Sequence, residues 1–285
     1  MALEHGFLEA NGIRFHYVEQ GAGPLVLLLH GFPEFWYSWR KQLPALADAG
    51  YRAVALDMRG YGLTDKPRTG YQIQQLVDDI VAVMHGLGEA RAHLVGHDWG
   101  GIVAWQTAWR RPDAVRSLIA MNAPHPSAFV QFARRDLRQL LQSSYMLFFQ
   151  APRVAEWALT RAGAAAVASM LRRAAKHPEV FTAADVAAYR AAFLRPGAAS
   201  CSLAYYRAAL RERSAALPSG SIAVPTLVLW GADDPVLKAG MNDRLGEWVK
   251  DITIQEIPDC GHWTQQEQPD AVNRAMIAWL RRQPA

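Results

Sequence analysis

Residues 96–101, Gly-His-Asp-Trp-Gly-Gly, restrict the fold of this chain more than any other stretch. They follow the short apolar run 92–95 and precede a second apolar stretch with a helix-like pattern. A strand, a tight turn and a helix in direct succession need small residues where the backbone crowds, and Gly96 and Gly100 supply them. Such a turn exposes the side chain at its centre, which here is Asp98.

Asp98 places a carboxylate where a turn of this kind can present a nucleophile. A serine in that position attacks an ester and forms an acyl-enzyme, whereas a carboxylate attacks a saturated carbon and itself becomes an ester. The sequence therefore predicts alkyl transfer through Asp98 rather than acyl transfer.

An acid and a histidine follow in an order that suits a catalytic triad. The apolar run 224–230 is typical of a buried strand, and Asp233 and Asp234 come just after it. His262 lies in a loop after the strand-like residues 252–257. The order nucleophile, acid, histidine is that of the α/β-hydrolase arrangement, and we take Asp234 as the acid.

At this point the chain resembles the epoxide hydrolases of the α/β-hydrolase superfamily along nearly its whole length. The motifs that carry the resemblance are residues 30–34, 57–62, 96–101, 122–126 and 261–262. The resemblance implies a mostly parallel sheet with helices on both faces and an inserted helical cap. It also implies that the backbone N–H groups of Phe32 and Trp99 form an oxyanion hole, and its spacing favours Asp234 over Asp233.

Two tyrosines separate the members of this superfamily that use an aspartate nucleophile. The resemblance implies that Tyr145, ahead of an aromatic stretch, and Tyr206, in a Tyr-Tyr-Arg stretch, are catalytic. Opening an epoxide leaves an alkoxide, which needs a hydrogen bond or a proton as the C–O bond breaks, and a phenol supplies it. Tyr205 is the alternative donor if the match shifts by one residue.

Three other functions would leave different residues at the motif positions. Haloalkane dehalogenases favour Asn at the position of Phe32 and usually lack the tyrosine pair, and fluoroacetate dehalogenases place Arg at the position of Trp99. A binding module that has lost catalysis usually lacks a triad member, whereas all three are present here. We therefore expect an epoxide hydrolase, with haloalkane dehalogenation and non-catalytic binding as alternatives.

The aromatic residues near these motifs predict an apolar substrate pocket. We expect it to be lined by Phe32, Trp36, Trp99, Phe148 and Phe149, which favours a hydrophobic aryl or alkyl epoxide. The predicted domains are a hydrolase core in two parts, 1–123 and 219–285, with a helical cap at 124–218.

Polar residues within the motifs have plainer interpretations. His30 and His97 are expected to shape loops rather than transfer protons. Glu34 either faces the pocket mouth or is an exposed loop carboxylate, and Asp57 fixes a turn-rich loop.

Composition sets the class of protein without naming a partner. The 285 residues are 51% hydrophobic and 20% charged, enough for a large core. The net charge is +4, but the densest basic cluster, at 134–138, reads as a solvated helix face rather than a nucleic-acid site. The pattern predicts no metal, no organic cofactor and no phosphate-binding loop.

The cysteines and the lengths of the apolar runs predict the compartment of the protein. Cys201 and Cys260 are too few for a disulfide framework and lack metal-ligand spacing, which favours the reducing cytoplasm. Residues 1–12 do not form a signal peptide, and no apolar run is long enough to span a membrane. We expect a monomer or homodimer whose partner is a small-molecule epoxide.

Periodicity completes the expected topology. Strands are predicted at 13–19, 25–29, 52–56, 115–121, 224–230 and 252–257, and helices at 36–49, 71–87 and 270–282. Strands that alternate with helices predict a mostly parallel sheet, with Asp98, Asp234 and His262 at its carboxyl edge.

Overall fold

One eight-stranded sheet forms the centre of the molecule. The computed structural model describes residues 3–212 and 220–283. The strands are β1 (Glu4–Ala10), β2 (Ile13–Gln20), β3 (Leu25–Leu29), β4 (Arg52–Leu56), β5 (Ala92–His97), β6 (Val115–Met121), β7 (Thr226–Gly231) and β8 (Ile252–Ile257). Their order in the sheet is β1-β2-β4-β3-β5-β6-β7-β8. Only β2 runs in the opposite direction, so its pairs with β1 and β4 are antiparallel and all the other pairs are parallel. The predicted mostly parallel sheet is therefore confirmed.

The central strands are apolar on both faces because both faces of the sheet are covered. All five residues of β3 are buried, and they alternate between two core clusters. Leu27 and Leu29 belong to the larger cluster, and Val26 and Leu28 belong to the cluster on the opposite face. This is the pattern expected for a buried parallel strand between two layers of helices.

Helices cover the sheet and fill the segment between β6 and β7. They are α1 (Gln42–Asp48), α2 (Ile73–Gly86), α3 (Trp99–Arg110), α4 (Pro126–Ala133), α5 (Leu137–Gln142), α6 (Tyr145–Phe148), α7 (Val154–Ala174), α8 (Ala183–Phe193), α9 (Ala198–Glu212), α10 (Thr264–Glu267) and α11 (Pro269–Leu280). The single helix predicted over 36–49 is a short 3₁₀ turn, Trp36–Trp39, followed by α1. Pro44 is tolerated only in the first turn of a helix, so an α-helix cannot run continuously from Trp36 through it.

The segment that was predicted as a cap contains only helices, α4 to α9, among its described residues. The helix α7 is interrupted at residues 161–164, where the backbone leaves helical φ and ψ values. A capping box between Thr182 and Asp185 begins α8. The division at 124 and 218 stays a prediction, and residue 218 lies outside the described residues.

The parallel strands point their carboxyl ends at one edge of the sheet. Asp98 follows β5 directly, Asp234 follows β7 by three residues, and His262 follows β8 by five. The predicted position of these three side chains at the carboxyl edge is therefore confirmed.

Candidate active site

The turn between β5 and α3 holds Asp98 in a strained backbone conformation, with φ 48° and ψ −120°. The turn is possible because its neighbours lack side chains. A Cβ atom on Gly96 would lie 2.4 Å from the carbonyl oxygen of Gly100, and one on Gly100 would lie 2.2 Å from that of Leu29. Strain of this kind persists where the surrounding structure fixes it, and it is common at functional sites.

The two oxygens of the Asp98 carboxylate have different surroundings. The Phe32 N–H donates to Oδ1 at 2.8 Å, and the Trp99 N–H lies near enough to lower the pKa of the carboxylate. Oδ2 lies 3.9 Å from Nε2 of His262. Burial raises the pKa of Asp98, although the nearby histidines and the two N–H groups oppose that shift. The Phe32 N–H, one of the two groups predicted to form the oxyanion hole, thus binds Oδ1, whereas Oδ2 faces His262.

His262 is oriented by the carboxylate that was predicted as its partner. Nδ1 of His262 lies 2.8 Å from Oδ2 of Asp234, so Nε2 faces Asp98. Burial lowers the pKa of His262, but the charge and hydrogen bond of Asp234 and the charge of Asp98 outweigh it and raise the pKa to about 9. Burial raises the pKa of Asp234, but the charge of His262 and several hydrogen bonds outweigh burial and hold this pKa below its ordinary value.

Asn122 supports Asp234 in a role that the sequence did not predict. Its side-chain amide donates to Oδ2 of Asp234 at 2.6 Å. Its oxygen accepts from the Gly231 N–H at 3.0 Å and from the Thr264 hydroxyl. The signal was available, because Asn122 follows β6 at the same sheet edge and begins one of the motifs.

Glu34 lies neither at the pocket mouth nor on the surface, so both predictions for it are wrong. It is 1% exposed, and its Oε2 lies 2.7 Å from Nδ1 of His97. Nε2 of His97 donates to the backbone carbonyl of His262 at 2.8 Å. The two ring nitrogens of His97 thus lie between a carboxylate oxygen and a backbone carbonyl oxygen, and both of these are acceptors.

The buried Glu34 carboxylate ties the loop after β3 to other parts of the site. It accepts from the Gly31 N–H at 2.9 Å and from the amide of Gln266 at 2.9 Å. Burial raises its pKa, but the charge and hydrogen bond of His97 prevail and lower that pKa to about 2. This ion pair therefore holds the backbone of the loop that carries His262.

Tyr145 and Tyr206 meet above Asp98, although one belongs to α6 and the other to α9. Their ring centroids are 6.0 Å apart, with the ring planes 76° from parallel. The Tyr206 ring stands edge-on to Trp99 at 5.0 Å. Burial raises the pKa of both phenols and the charge of Asp98 raises it further, so both keep their protons.

Tyr205, the alternative donor, has a different partner. Its hydroxyl donates to the backbone carbonyl of Arg59 at 2.8 Å, and its side chain is buried. That hydrogen bond occupies the proton of Tyr205, whereas the phenols of Tyr145 and Tyr206 lie close enough to Asp98 for its charge to raise the pKa of both.

A cavity of about 560 Å³ brings these groups together, with Asp98, Trp99, Tyr145 and Tyr206 in its wall. The rest of the wall is mostly apolar. It includes Ile73, Leu76, Ile102, Phe129, Met146 and Leu237. A cavity of this kind accepts an apolar molecule and offers it a carboxylate and two phenols.

Four of the five predicted lining residues lie elsewhere. Trp36 packs against the core cluster on the other face of the sheet. Phe32 and Phe149 pack behind Tyr206, with ring centroids 5.3 Å and 4.9 Å from it. Phe148 turns outward and is 42% exposed, because adjacent helical residues point in different directions. Of the five, Trp99 lines the cavity as predicted.

Known proteins share both the sequence and the fold. Residues 24–269 match the family model of the α/β hydrolase fold. The chain is 37% identical to the AB hydrolase superfamily protein YfhM of Bacillus subtilis, over 97% of this chain and 98% of that protein. It is 38% identical to epoxide hydrolase 4 of Mus musculus, over 96% of this chain and 78% of that protein.

A solved structure agrees with these relatives. An epoxide hydrolase of Bacillus megaterium, crystallised with an inhibitor, has a TM-score of 0.90 to this chain at 32% sequence identity. The match covers 97% of this chain and 100% of that one. The chain therefore belongs to the α/β hydrolase fold family and, within it, to the epoxide hydrolases.

Proposed function

We propose that this protein hydrolyses apolar epoxides to vicinal diols through an alkyl ester on Asp98. The observation that carries the proposal is the pair of protonated phenols, Tyr145 and Tyr206, beside the Asp98 carboxylate in an apolar cavity. A carboxylate can attack the epoxide carbon, and only a donor beside it can neutralise the alkoxide that forms. Relatives that are named epoxide hydrolases support the same reaction.

The first step opens the ring. Oδ2 of Asp98 attacks an epoxide carbon and forms an ester bond while the C–O bond of the ring breaks. The electron pair of that bond goes to the ring oxygen, which takes a proton from Tyr145 or Tyr206 and becomes a hydroxyl. The product of this step is a hydroxyalkyl ester of Asp98 with one tyrosine deprotonated.

The second step hydrolyses the ester. His262 takes a proton from water, and the hydroxide attacks the carbonyl carbon of the ester while the N–H groups of Phe32 and Trp99 stabilise the oxyanion. The intermediate expels the second oxygen of the diol, which takes the proton held by His262. The carboxylic acid left at Asp98 returns its proton to the tyrosinate.

Charge at Asp98 coordinates the two steps. In the free enzyme burial lowers the pKa of His262, but Asp234 and the charge of Asp98 raise it to about 9. Esterification removes the charge of Asp98 and therefore one of the causes that raise this pKa. The pKa of His262 should therefore fall when the ester forms, which favours its role as the base of the second step.

Replacement of His262 by Gln tests the covalent step. The ring opens without a base, so His262→Gln should accumulate an adduct with the mass of the epoxide, visible by intact-protein mass spectrometry after mixing with styrene oxide. Asp98→Asn is the matched control and should show no adduct. A His262→Gln protein that forms no adduct would contradict the ester mechanism.

Labelled water identifies the oxygen that leaves with the diol. In a single turnover in ¹⁸O water the label should enter Asp98, and the diol should contain the unlabelled carboxylate oxygen. A labelled diol after one turnover would mean that water attacks the epoxide directly, with Asp98 as a general base.

Rival substrates separate this proposal from the other functions. A halide leaves without a proton, so the tyrosine pair gives no advantage there. We expect turnover of styrene oxide and little bromide release from 1-bromobutane. Bromide release alone would indicate a haloalkane dehalogenase, and no turnover of either would indicate a binding module.

The state of the two cysteines bears on the compartment of the protein. Cys201 and Cys260 are both buried and free, as in a reducing cytoplasm. Among the described residues no helix has the length and apolarity needed to cross a membrane. We propose a monomer or homodimer, to be measured by light scattering.

A further inference from the structure

A cluster of exposed apolar side chains lies on one part of the cap. It consists of Leu141, Leu147, Phe148, Val154 and Trp157, which are 72%, 69%, 42%, 54% and 61% exposed. Eleven large apolar side chains are exposed in the described part of the chain, and these five fall within residues 141–157. Single exposed apolar residues are ordinary, whereas a contiguous group marks an interaction surface. We call this group the cap patch.

Short-range backbone hydrogen bonds keep the segment that carries the cap patch compact. The Ser144 N–H donates to the carbonyl of Leu141, and the Ala151 N–H donates to that of Phe148. Val154 and Trp157 are three residues apart on α7 and therefore share a face of that helix. The neighbours Phe149 and Ala155 point inward and are buried, so this segment is apolar on two sides.

Basic residues outnumber acidic ones in the segment that contains the cap patch. Residues 134–176 contain eight Arg and Lys and only two acidic residues, a net charge of +6, whereas the whole chain carries +4 and the remainder therefore −2. Arg153 and Arg161 are exposed beside the patch, and the Arg161 guanidinium lies 5.0 Å from the centre of the Trp157 ring. Asp136 and Glu156, the two acidic residues, pair with Lys238 and Arg207.

The cap patch is continuous with the catalytic cavity. Leu147 is 69% exposed and also lines the cavity that contains Asp98 and Tyr145. An apolar molecule at the patch can therefore reach the cavity along apolar side chains, without passing through water.

We propose that the cap patch binds the surface of an anionic lipid bilayer, with its apolar side chains in the interface and its arginines at the headgroups. Tryptophan and arginine together are typical of interfacial segments, and basic residues are attracted to anionic lipid. A lipid surface also suits the continuity with the cavity, because apolar epoxides partition into bilayers; this last point rests on the proposed function. Arg134 and Arg135, from the cluster interpreted from the sequence as a solvated helix face, are exposed in the same segment.

Vesicle flotation tests the proposal on the full chain. The protein should float with phosphatidylglycerol vesicles and stay behind with phosphatidylcholine vesicles. The double variant Trp157→Gln/Arg153→Gln should bind phosphatidylglycerol roughly tenfold more weakly, because it loses one interfacial aromatic and one charge. Neither residue is placed in the catalytic machinery, so turnover of dissolved styrene oxide should be unchanged and shows that the variant is folded.

A matched control distinguishes the patch from general charge and apolarity. Ile254 is 43% exposed on β8 and Lys250 is exposed just before that strand. Ile254→Gln/Lys250→Gln also replaces one exposed apolar and one exposed basic residue by Gln, but away from the cap. This variant should float as the unchanged protein does.

Three outcomes would overturn the proposal. These are no flotation with phosphatidylglycerol, equal loss of flotation in both double variants, and a dimer that dissociates only in the cap-patch variant, which would assign the patch to a second copy of the chain. Flotation does not depend on catalysis. If the protein floats yet turns over no epoxide, the proposed function fails while the lipid surface stands.

Discussion

The two tyrosine hydroxyls next to Asp98 set the chemistry at the scale of single residues. Tyr206 is buried and Tyr145 is partly buried, and burial together with the charge of Asp98 raises the pKa of both phenols. A phenol with a raised pKa is a weak acid toward water, yet an alkoxide forming within hydrogen-bond reach is basic enough to take its proton.

Removal of both hydroxyls should therefore stop ring opening. We expect Tyr145→Phe/Tyr206→Phe to reduce the single-turnover rate of ester formation by about 10²-fold to 10⁴-fold, because general acid catalysis contributes that much. Rapid-quench mass spectrometry of the Asp98 ester measures this rate. Tyr205→Phe is the control, since its hydroxyl bonds to Arg59, and it should keep ester formation within a few-fold. Equal losses in the control would reassign the donor to Tyr205.

Protonation of His262 makes stability depend on pH. Although burial lowers the pKa of His262, the neighbouring carboxylates raise it from 6.5 to about 9. A raised histidine pKa stabilises the fold fully below about pH 6.5, and this contribution disappears as the pH rises through about 9.

The difference in unfolding free energy between the unchanged protein and His262→Gln should therefore be larger at pH 6.5 than at pH 9.5. Urea denaturation at the two pH values measures it. His85→Gln, at an exposed position near the end of α2, provides the comparison. A difference for His262→Gln that is independent of pH would contradict the raised pKa.

At the scale of elements, the strand-turn-helix unit of β5 and α3 depends on close backbone contacts. Gly100 approaches β3 so closely that a Cβ atom would lie 2.2 Å from the carbonyl oxygen of Leu29. Neither backbone can yield without displacing a central strand or the helix that follows Asp98.

Gly100→Ala should consequently destabilise the protein by about 3 kcal/mol or more and displace Asp98. Gly246→Ala is the matched control, because a Cβ atom there meets nothing within 4 Å. Thermal and urea denaturation of both variants provide the measurement. Similar stability in the two would mean that the turn relaxes more easily than its contacts indicate.

At the scale of the whole molecule, one buried ion pair joins segments that are far apart in the chain. Glu34 and His97 are 63 residues apart, and His97 bonds to the carbonyl of His262, which is 165 residues further on. Glu34 also accepts from Gln266 near the C-terminal end. The ion pair thus couples the nucleophile turn, the loop before α1 and the histidine loop.

Loss of the Glu34 carboxylate should lower the stability of the protein. We expect Glu34→Gln to lower the unfolding free energy by about 3–5 kcal/mol near pH 7, because Gly31, His97 and Gln266 lose a buried charged acceptor. The pKa of Glu34, which burial raises and His97 lowers more strongly, is reduced from 4.5 to about 2. Its contribution is therefore present above about pH 4.5 and is lost as the pH falls through about 2.

Urea denaturation at pH 7 and at pH 3 measures this loss, and the gap between Glu34→Gln and the unchanged protein should be smaller at pH 3. Glu179→Gln is the control, because the Glu179 side chain is 74% exposed, and it should change stability by less than about 1 kcal/mol. A gap for Glu34→Gln as small as that of the control would contradict the role of the ion pair.

The sequence by itself determined the elements and the order of the reacting groups. Apolar runs such as residues 25–29 and 115–121 became strands because such runs are stable only when buried on both faces. The glycines around Asp98 predicted the turn because few other residues fit it. Asp98, Asp234 and His262 were placed at one sheet edge by local patterns and by the direction of parallel strands.

Only the tertiary structure decided which side chains meet. Glu34 and His97 form a buried pair, Asn122 supports Asp234, and Phe149 lies behind the tyrosines rather than in the cavity wall. A sequence pattern reports burial and period but not the partner of a side chain, because the partner is set by how distant elements pack. The exposed cap patch became visible for the same reason, since Phe148, predicted to line the cavity, turns outward there.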